Sequence, residues 1–329
     1  MKQTSGLIIG LFALVLGFGI LSVKGDISDF GITILSGLFQ GMLLFLVASG
    51  LSIIFGLMAV LNLAQGSYFM LGAYSAYAFH HSPEVIAAIP NGDIRFLFAL
   101  IVAVIIGAIL GGILERFFLR PLYVRPLFQL VLTFGVALVI EEAIRFIWST
   151  TPYSWVEPFT LREEQFVVFG QQFSVYRLFV IAMGFVLIFA IALLLRRTRI
   201  GIIIRAGVED SEMVEALGIN VRLIFTLVFM IGCGVAALGG AVAAPFLGAT
   251  SGMGNAFLLS AIAVVALGGL GSYEGTAIAS ILVGLAVAFV GRFVSLPEIN
   301  QSVWASLTPM ILLIAILMVR PNGLFGKAE

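Results

Sequence analysis

"GLSIIFGLMAVLNLAQGSYFMLGAY", residues 50 to 74, is apolar on both sides of Asn62, Gln65 and Gly66. Lipid offers an amide side chain no hydrogen-bond partner, so a polar break at membrane depth is tolerated only against protein or a water-filled cavity. Apolar residues resume at once with Tyr68, Phe69, Met70 and Leu71. The pattern predicts that Asn62 and Gln65 interrupt the backbone regularity, that Gly66 permits a sharp turn, and that a new helix begins there with its partly positive N-terminal amides. Something passes this point or docks against it.

The rest of the chain makes membrane depth the right frame. Of its 329 residues 61% are hydrophobic and only 10% charged, with a mean hydropathy of +1.17, which places it among integral membrane proteins. The 17 basic and 17 acidic residues balance, and the basic ones form no patch interleaved with aromatics. That argues against nucleic acid as a partner. Cys233, the only cysteine, lies in an apolar run and supports neither an intrachain disulfide nor a cysteine metal site. Residues 1 to 23 place Lys2 ahead of an apolar stretch, yet "LSVKGD" offers no small-x-small cleavage site, so an uncleaved first span is expected.

A span needs roughly 20 apolar residues to cross a core about 30 Å thick. Candidates are 7 to 23, 31 to 59, 66 to 80, 96 to 114, 127 to 147, 177 to 195, 222 to 244, 256 to 271, 276 to 293 and 303 to 319. The second is long enough for two half-helices, and the eighth and ninth are separated only by "GSYEG", so an all-α polytopic membrane protein of eight to ten spans is expected. With both termini in the cytoplasm, eleven of the 17 basic residues fall on that side: Lys2, Arg116, Arg120, Arg125, Arg196, Arg197, Arg199, Arg205, Arg222, Arg320 and Lys327. Lys24, Arg95, Arg162, Arg177 and Arg292 fall on the other, as the positive-inside rule requires. Pro121, Pro126, Pro245, Pro297 and Pro321 are expected between spans, whereas Pro309 predicts a kink in the last one, with Ser306 and Thr308 near enough to bond freed backbone groups.

Catalytic apparatus is missing. A phosphate-cradling loop needs Gly, four residues, then Gly-Lys-Ser/Thr, and the only Gly-Lys pair, Gly326-Lys327, is followed by Ala328. His80 and His81 are adjacent and cannot share a helical face as metal ligands; they are expected to be solvated. Glu141, Glu142 and Arg145 put costly charge in a span; Glu141 and Arg145, four apart, suit a helical ion pair, a pathway residue being the alternative. No chain of acidic residues runs through successive spans as ion coupling favours. No catalytic residue, metal or cofactor is expected of this chain.

Two loops carry signals. In "RRTRIGIIIRAGVEDSEMVEALGIN", Asp210 is placed to cap a short helix ending at Gly218, whose missing side chain suits a left-handed terminal residue. Glu209, Asp210, Glu212 and Glu215 there accompany Met213, Val214 and Leu217. A solvated loop needs no apolar residues, so an idle loop and a peg for another protein's groove both stand. On the other face, residues 148 to 176 form the longest loop, and "QFVVFGQQFSV" predicts a hairpin around Gly170.

"GLSIIFGLMAVLNLAQGSYFMLGAY", "RRTRIGIIIRAGVEDSEMVEALGIN", "ALGGLGSYEG" and "RPNGLFGK", in that order, resemble the permease subunits of branched-chain amino-acid ABC importers. The resemblance covers most of the chain, from residue 50 to 327. It implies one transmembrane permease domain over 1–329 with the ABC importer permease fold, in the plasma (inner) membrane of a bacterium or archaeon. It implies partners: a second permease as homo- or heterodimer, cytoplasmic ATPases that bind the ATP, an external solute-binding protein, and membrane lipid. It further implies that 209–218 is the cytoplasmic coupling helix, with Glu209, Asp210, Glu212, Met213, Glu215, Leu217 and Gly218 at the ATPase, and that 148–176 is external.

Two motifs depart from the family. Leu63-Ala64-Gln65-Gly66 stands where Phe-Ala-His-Gly is usual, and Gln65 does not titrate near neutral pH. Gly271-Ser272-Tyr273-Glu274-Gly275 stands where Gly-Ser-Ile-Pro-Gly is common, putting a solvated carboxylate at a turn. Broken helices often line transport sites, so Asn62, Gln65, Gly66 and Tyr68 are expected on the substrate path, a cytoplasmic gate or dimer contact being the alternative. The break is expected nearer the cytoplasmic end than the midplane. The expected solute is a branched-chain or other amino acid, urea or a short amide; a self-sufficient secondary transporter or channel is the rival.

Overall fold

The computed structural model describes residues 10–13, 15–17, 27–168, 170–209, 211–293 and 301–326. Residues 10–13 and 15–17 are helical. There follow α1 (Ile27–Met58), α2 (Gln65–His81), α3 (Pro83–Ala88), α4 (Gly92–Leu114), α5 (Pro126–Trp148), α6 (Thr160–Glu163), α7 (Val175–Arg197), α8 (Arg199–Glu209), α9 (Ser211–Ala216), α10 (Val221–Leu247), α11 (Met253–Gly268), α12 (Tyr273–Phe293) and α13 (Gln301–Val319). Between α6 and α7 the strands β1 (Gln165–Val168) and β2 (Gln171–Ser174) pair antiparallel, Val168 opposite Gln171, around Gly170 at φ 78°. The expected hairpin is present. Six of the described helices are long and apolar enough to cross a membrane.

α1, α2 and α10 form the centre. α12 packs along α1, and α10 along α4, α2 and α1. Small residues set these contacts, because lipid gives no hydrophobic drive between helices and only close packing remains. At Gly284 of α12 a side-chain carbon would lie 2.2 Å from the backbone nitrogen of Gly41 in α1, so the two helices touch backbone to backbone. α5 sits at the periphery, presenting Val131, Val139 and Phe146 outward as a lipid-facing surface does.

The described basic residues divide between the two ends of this bundle as the loops predict. At one end Arg120 donates to the Arg222 carbonyl (3.3 Å) and to Thr226 (2.8 Å), and Arg196 pairs with Glu274. At the other, Arg292 meets Asp29 (2.6 Å) and Arg95 meets Glu157 (3.5 Å).

Several expectations need correction. α1 is one continuous helix of 32 residues, not two halves. Pro245 lies inside α10, in its last turn, where the missing N–H costs little because few turns remain to disrupt. Gly66 is the second residue of α2 and makes no turn; the bend is carried by residues 59–64, with Ala59 at φ 53°. His80 is not solvated: in the last turn of α2 it is fully buried beside Trp155, Phe96 and Phe159. Glu274, in the first turn of α12, is exposed as expected and in addition pairs with Arg196. α8 was not anticipated; Gly201, Ile204 and Gly207 recur every three residues as its buried face. Pro309 lies within α13, and Thr308 donates to the Trp304 carbonyl at 2.8 Å. Lys2, Lys24, Pro297 and Lys327 lie outside the described residues.

Candidate functional site

The polar break is a closed hydrogen-bond network. Asn62 Nδ2 donates to Gln65 Oε1 (3.1 Å), Gln65 Nε2 donates to the Gly232 carbonyl (2.9 Å), and Asn62 Oδ1 accepts from the Ala64 amide (3.1 Å). The Leu63 amide reaches Thr133 Oγ1 (3.3 Å) and Ser67 Oγ donates to the Ala137 carbonyl (3.2 Å), which ties the break to α5 as well as α10. Asn62, Gln65 and Tyr68 are almost wholly buried. An amide left without partners in such a place costs several kcal/mol, so each bond here is an alternative to that penalty. Gly232 lies eleven residues into α10, or about 17 Å along it at 1.5 Å per residue. The break therefore packs against α10 short of the middle of that 27-residue helix.

Gly66 explains its own identity differently from the expected turn. A side-chain carbon there would lie 2.1 Å from the carbonyl oxygen of Gly254, the second residue of α11. The first turns of two short helices thus meet backbone to backbone inside the bundle. Next to this crossing Phe69 stacks on Phe257, and Asn255 donates to Glu141 (3.2 Å). Glu141 also forms the expected helical ion pair with Arg145.

A second feature was not anticipated. Along one face of α1 lie Asp29, Thr33, Ser36 and Gln40, spaced four, three and four residues apart, and they line a cavity of about 800 Å³ against Ala288, Gly291 and Arg292 of α12. Below it a cavity of about 540 Å³, bounded by Phe39, Leu43, Phe246 and Phe257, shares Gln40, Val287 and Ala305 with the first. At the opposite end a third, about 910 Å³, lies between Gly56, Gly271 and Pro321. Gln40 is exposed thirteen residues into a membrane-length helix, and Ser306, which lines the second cavity, is exposed as well. Polar side chains at that depth need water or protein against them. The recurrence in "DFGITILSGLFQG" is the signal that could have found this face.

The turn at 211–218 has the opposite character. α9 ends in a Schellman arrangement: the Gly218 amide donates to the Glu215 carbonyl (2.9 Å) and the Ile219 amide to Val214 (3.3 Å), with Gly218 at φ 80°. Val214 is buried, while Met213 is 63% and Leu217 74% exposed beside exposed Glu215. Glu209 and Glu212 lie on α8 and α9, but their side chains, and Asp210 altogether, lie outside the described residues. Beneath this end, Glu115 is fully buried, accepting from Tyr123 and from Thr226 (2.5 Å) and facing Arg120 (3.5 Å). Burial, then the bond to Glu115, pushes the Tyr123 hydroxyl up, which keeps it protonated as the donor. Among the described residues no three His, Cys, Asp or Glu side chains gather as a metal site needs.

Known proteins match this arrangement along nearly all its length. The family described as "Branched-chain amino acid transport system / permease component" matches residues 33–317. The high-affinity branched-chain amino acid transport system permease protein BraD of Pseudomonas aeruginosa is 29% identical over 308 residues, 90% of this chain and 95% of its own. LivH of Escherichia coli, a permease protein named for the same transport system, is 26% identical over 306 residues, 89% and 94% of the two chains. The probable branched-chain amino acid transport permease LivH of Methanocaldococcus jannaschii is 25% identical over 292 residues, 86% and 89%.

Proposed function

The chain belongs to the family of branched-chain amino acid transport system permease components, and we propose that it carries branched-chain amino acids or related small polar solutes inward as the membrane subunit of an ATP-driven importer. It is a multi-pass transport subunit and not an enzyme. The family match across residues 33–317 is the observation that carries this function.

Its partners follow from that role. Two cytoplasmic ATPases bind and hydrolyse the ATP, a second permease closes the groove along α1, α11 and α13, and an external binding protein delivers solute over the segment 148–176. The end bearing Arg120, Arg196 and Arg222 faces the cytoplasm, in keeping with the excess of basic residues there. Exposed Met213 and Leu217 beside Glu215 support an ATPase dock at 209–218, and Gly218 holds the turn that presents them.

ATP-driven closure of the ATPases moves this turn. The Arg196–Glu274 pair joins the end of α7, just before the dock, to the start of α12, and α12 packs along α1 to the opposite face. Movement at the dock thereby reaches both ends of the groove. Asn62, Gln65, Gly66 and Tyr68 border the path where α2 and α11 cross, and the bonds of Asn62 to Gln65 and of Gln65 to Gly232 hold it shut.

Radiolabelled L-leucine uptake tests the function. In cells lacking the chain, its return should restore uptake that collapses on ATP depletion and survives dissipation of the ion gradients. Uptake that instead follows an ion gradient without ATP would make it a secondary transporter.

A further inference from the structure

Asp29 and Arg292 are 263 residues apart in sequence and meet at 2.6 Å at the outer mouth of the groove. Gln171 of the external hairpin donates to the same Asp29 oxygen, also at 2.6 Å. The two charged side chains keep 32% and 41% of their surface exposed. An ion pair this accessible adds little to stability, so folding does not explain why an acid and a base meet in the lining of a cavity. Directly below them the lining changes character, from Thr33, Ser36 and Gln40 to Phe39, Leu43 and Phe246.

The geometry points to a binding site for a zwitterionic α-amino acid at this mouth. The solute's carboxylate takes the Arg292 guanidinium, whose planar fork matches it, and its ammonium takes the Asp29 carboxylate. Each half of the head group replaces the partner that the protein residue loses, so no charge is left uncompensated as the pair opens. The aliphatic side chain then points down into the apolar cavity, and Gln40 stands at the junction of the two chambers. Gln171 couples the state of Asp29 to the external hairpin. This rests on the importer function proposed above and deepens it by naming how the head group is read.

The complete complex, purified with its partner subunits and reconstituted in nanodiscs, permits a direct test. Cys233 is fully buried, so Ser36→Cys introduces the one accessible thiol among the described residues. Its alkylation by a membrane-impermeant reagent should be slowed by L-leucine, and by L-leucinamide or 4-methylpentanoate only at roughly tenfold higher concentration, since each lacks one half of the head group. Arg292→Gln should abolish the advantage of leucine over leucinamide and Asp29→Asn its advantage over 4-methylpentanoate, whereas Arg292→Lys should keep part of it. A merely structural pair would weaken protection by all three compounds alike, which would overturn the site. So would alkylation indifferent to leucine in a complex that takes up leucine. If the wild-type complex takes up no leucine at all, the importer function fails first and the site with it.

Discussion

Residues 62–68 and residues 211–218 invert each other. The first buries Asn62, Gln65 and Ser67 at membrane depth; the second exposes Met213 and Leu217 at the surface of the bundle. The buried polar side chains bond within the chain, Asn62 to Gln65 and the Ala64 amide, Gln65 to the Gly232 carbonyl and Ser67 to the Ala137 carbonyl. The exposed apolar ones, Met213 and Leu217, flank Val214, which is buried and seats their turn. Polarity satisfied internally stabilises one packing of the bundle, whereas the exposed apolar pair is the surface that the proposed dock would cover.

Matched substitutions can break this contrast, and the largest effect should come from the buried side. Gly66→Ala forces a carbon to within 2.1 Å of the Gly254 oxygen, and because backbone faces backbone the helices must separate. Overpacking of this kind costs ~1–3 kcal/mol or more, and the yield of monodisperse protein in detergent should fall severalfold. Normal yield and melting temperature would show that the crossing of α2 and α11 is looser than described.

Next comes the dock. Leu217→Asp, like Glu215→Arg, should reduce leucine uptake at least roughly tenfold, equivalent to about 1.4 kcal/mol of lost coupling, while the melting temperature stays put. A parallel loss of stability would return this turn to the role of internal packing. Gln65→Leu should do the reverse: it removes the bonds to Gly232 and Asn62 and costs ~1–3 kcal/mol, read as a lower melting temperature. The smallest effect is expected for Gly218→Ala, because nothing lies within 4 Å of an added carbon there and only the left-handed backbone is penalised, by ~1 kcal/mol. The same glycine-to-alanine change thus separates a steric from a conformational requirement.

Hydropathy gave nearly all of the architecture, because a membrane span is defined by length and composition within one stretch of chain. The expected spans 31–59, 127–147, 177–195 and 303–319 each fall within a few residues of α1, α5, α7 and α13. Local chemistry also gave the hairpin at Gly170 and the left-handed end at Gly218. What hydropathy does not carry is direction. It counted α1 as one apolar run and passed over Asp29, Thr33, Ser36 and Gln40, whose meaning lies in their common face and in a partner helix more than two hundred residues away. His80 departs from expectation for a related reason: its place near the end of an apolar run suggested solvent, while the rings that bury it come from Phe96, Trp155 and Phe159.

The importer function rests most directly on what stays bound to this chain in its own membrane. Solubilised gently with a tag and analysed by mass spectrometry, the wild type should retain a P-loop ATPase, and Glu215→Arg should lose it while still inserting normally. A homo-oligomer free of any ATPase that nevertheless moves leucine in liposomes would contradict the account.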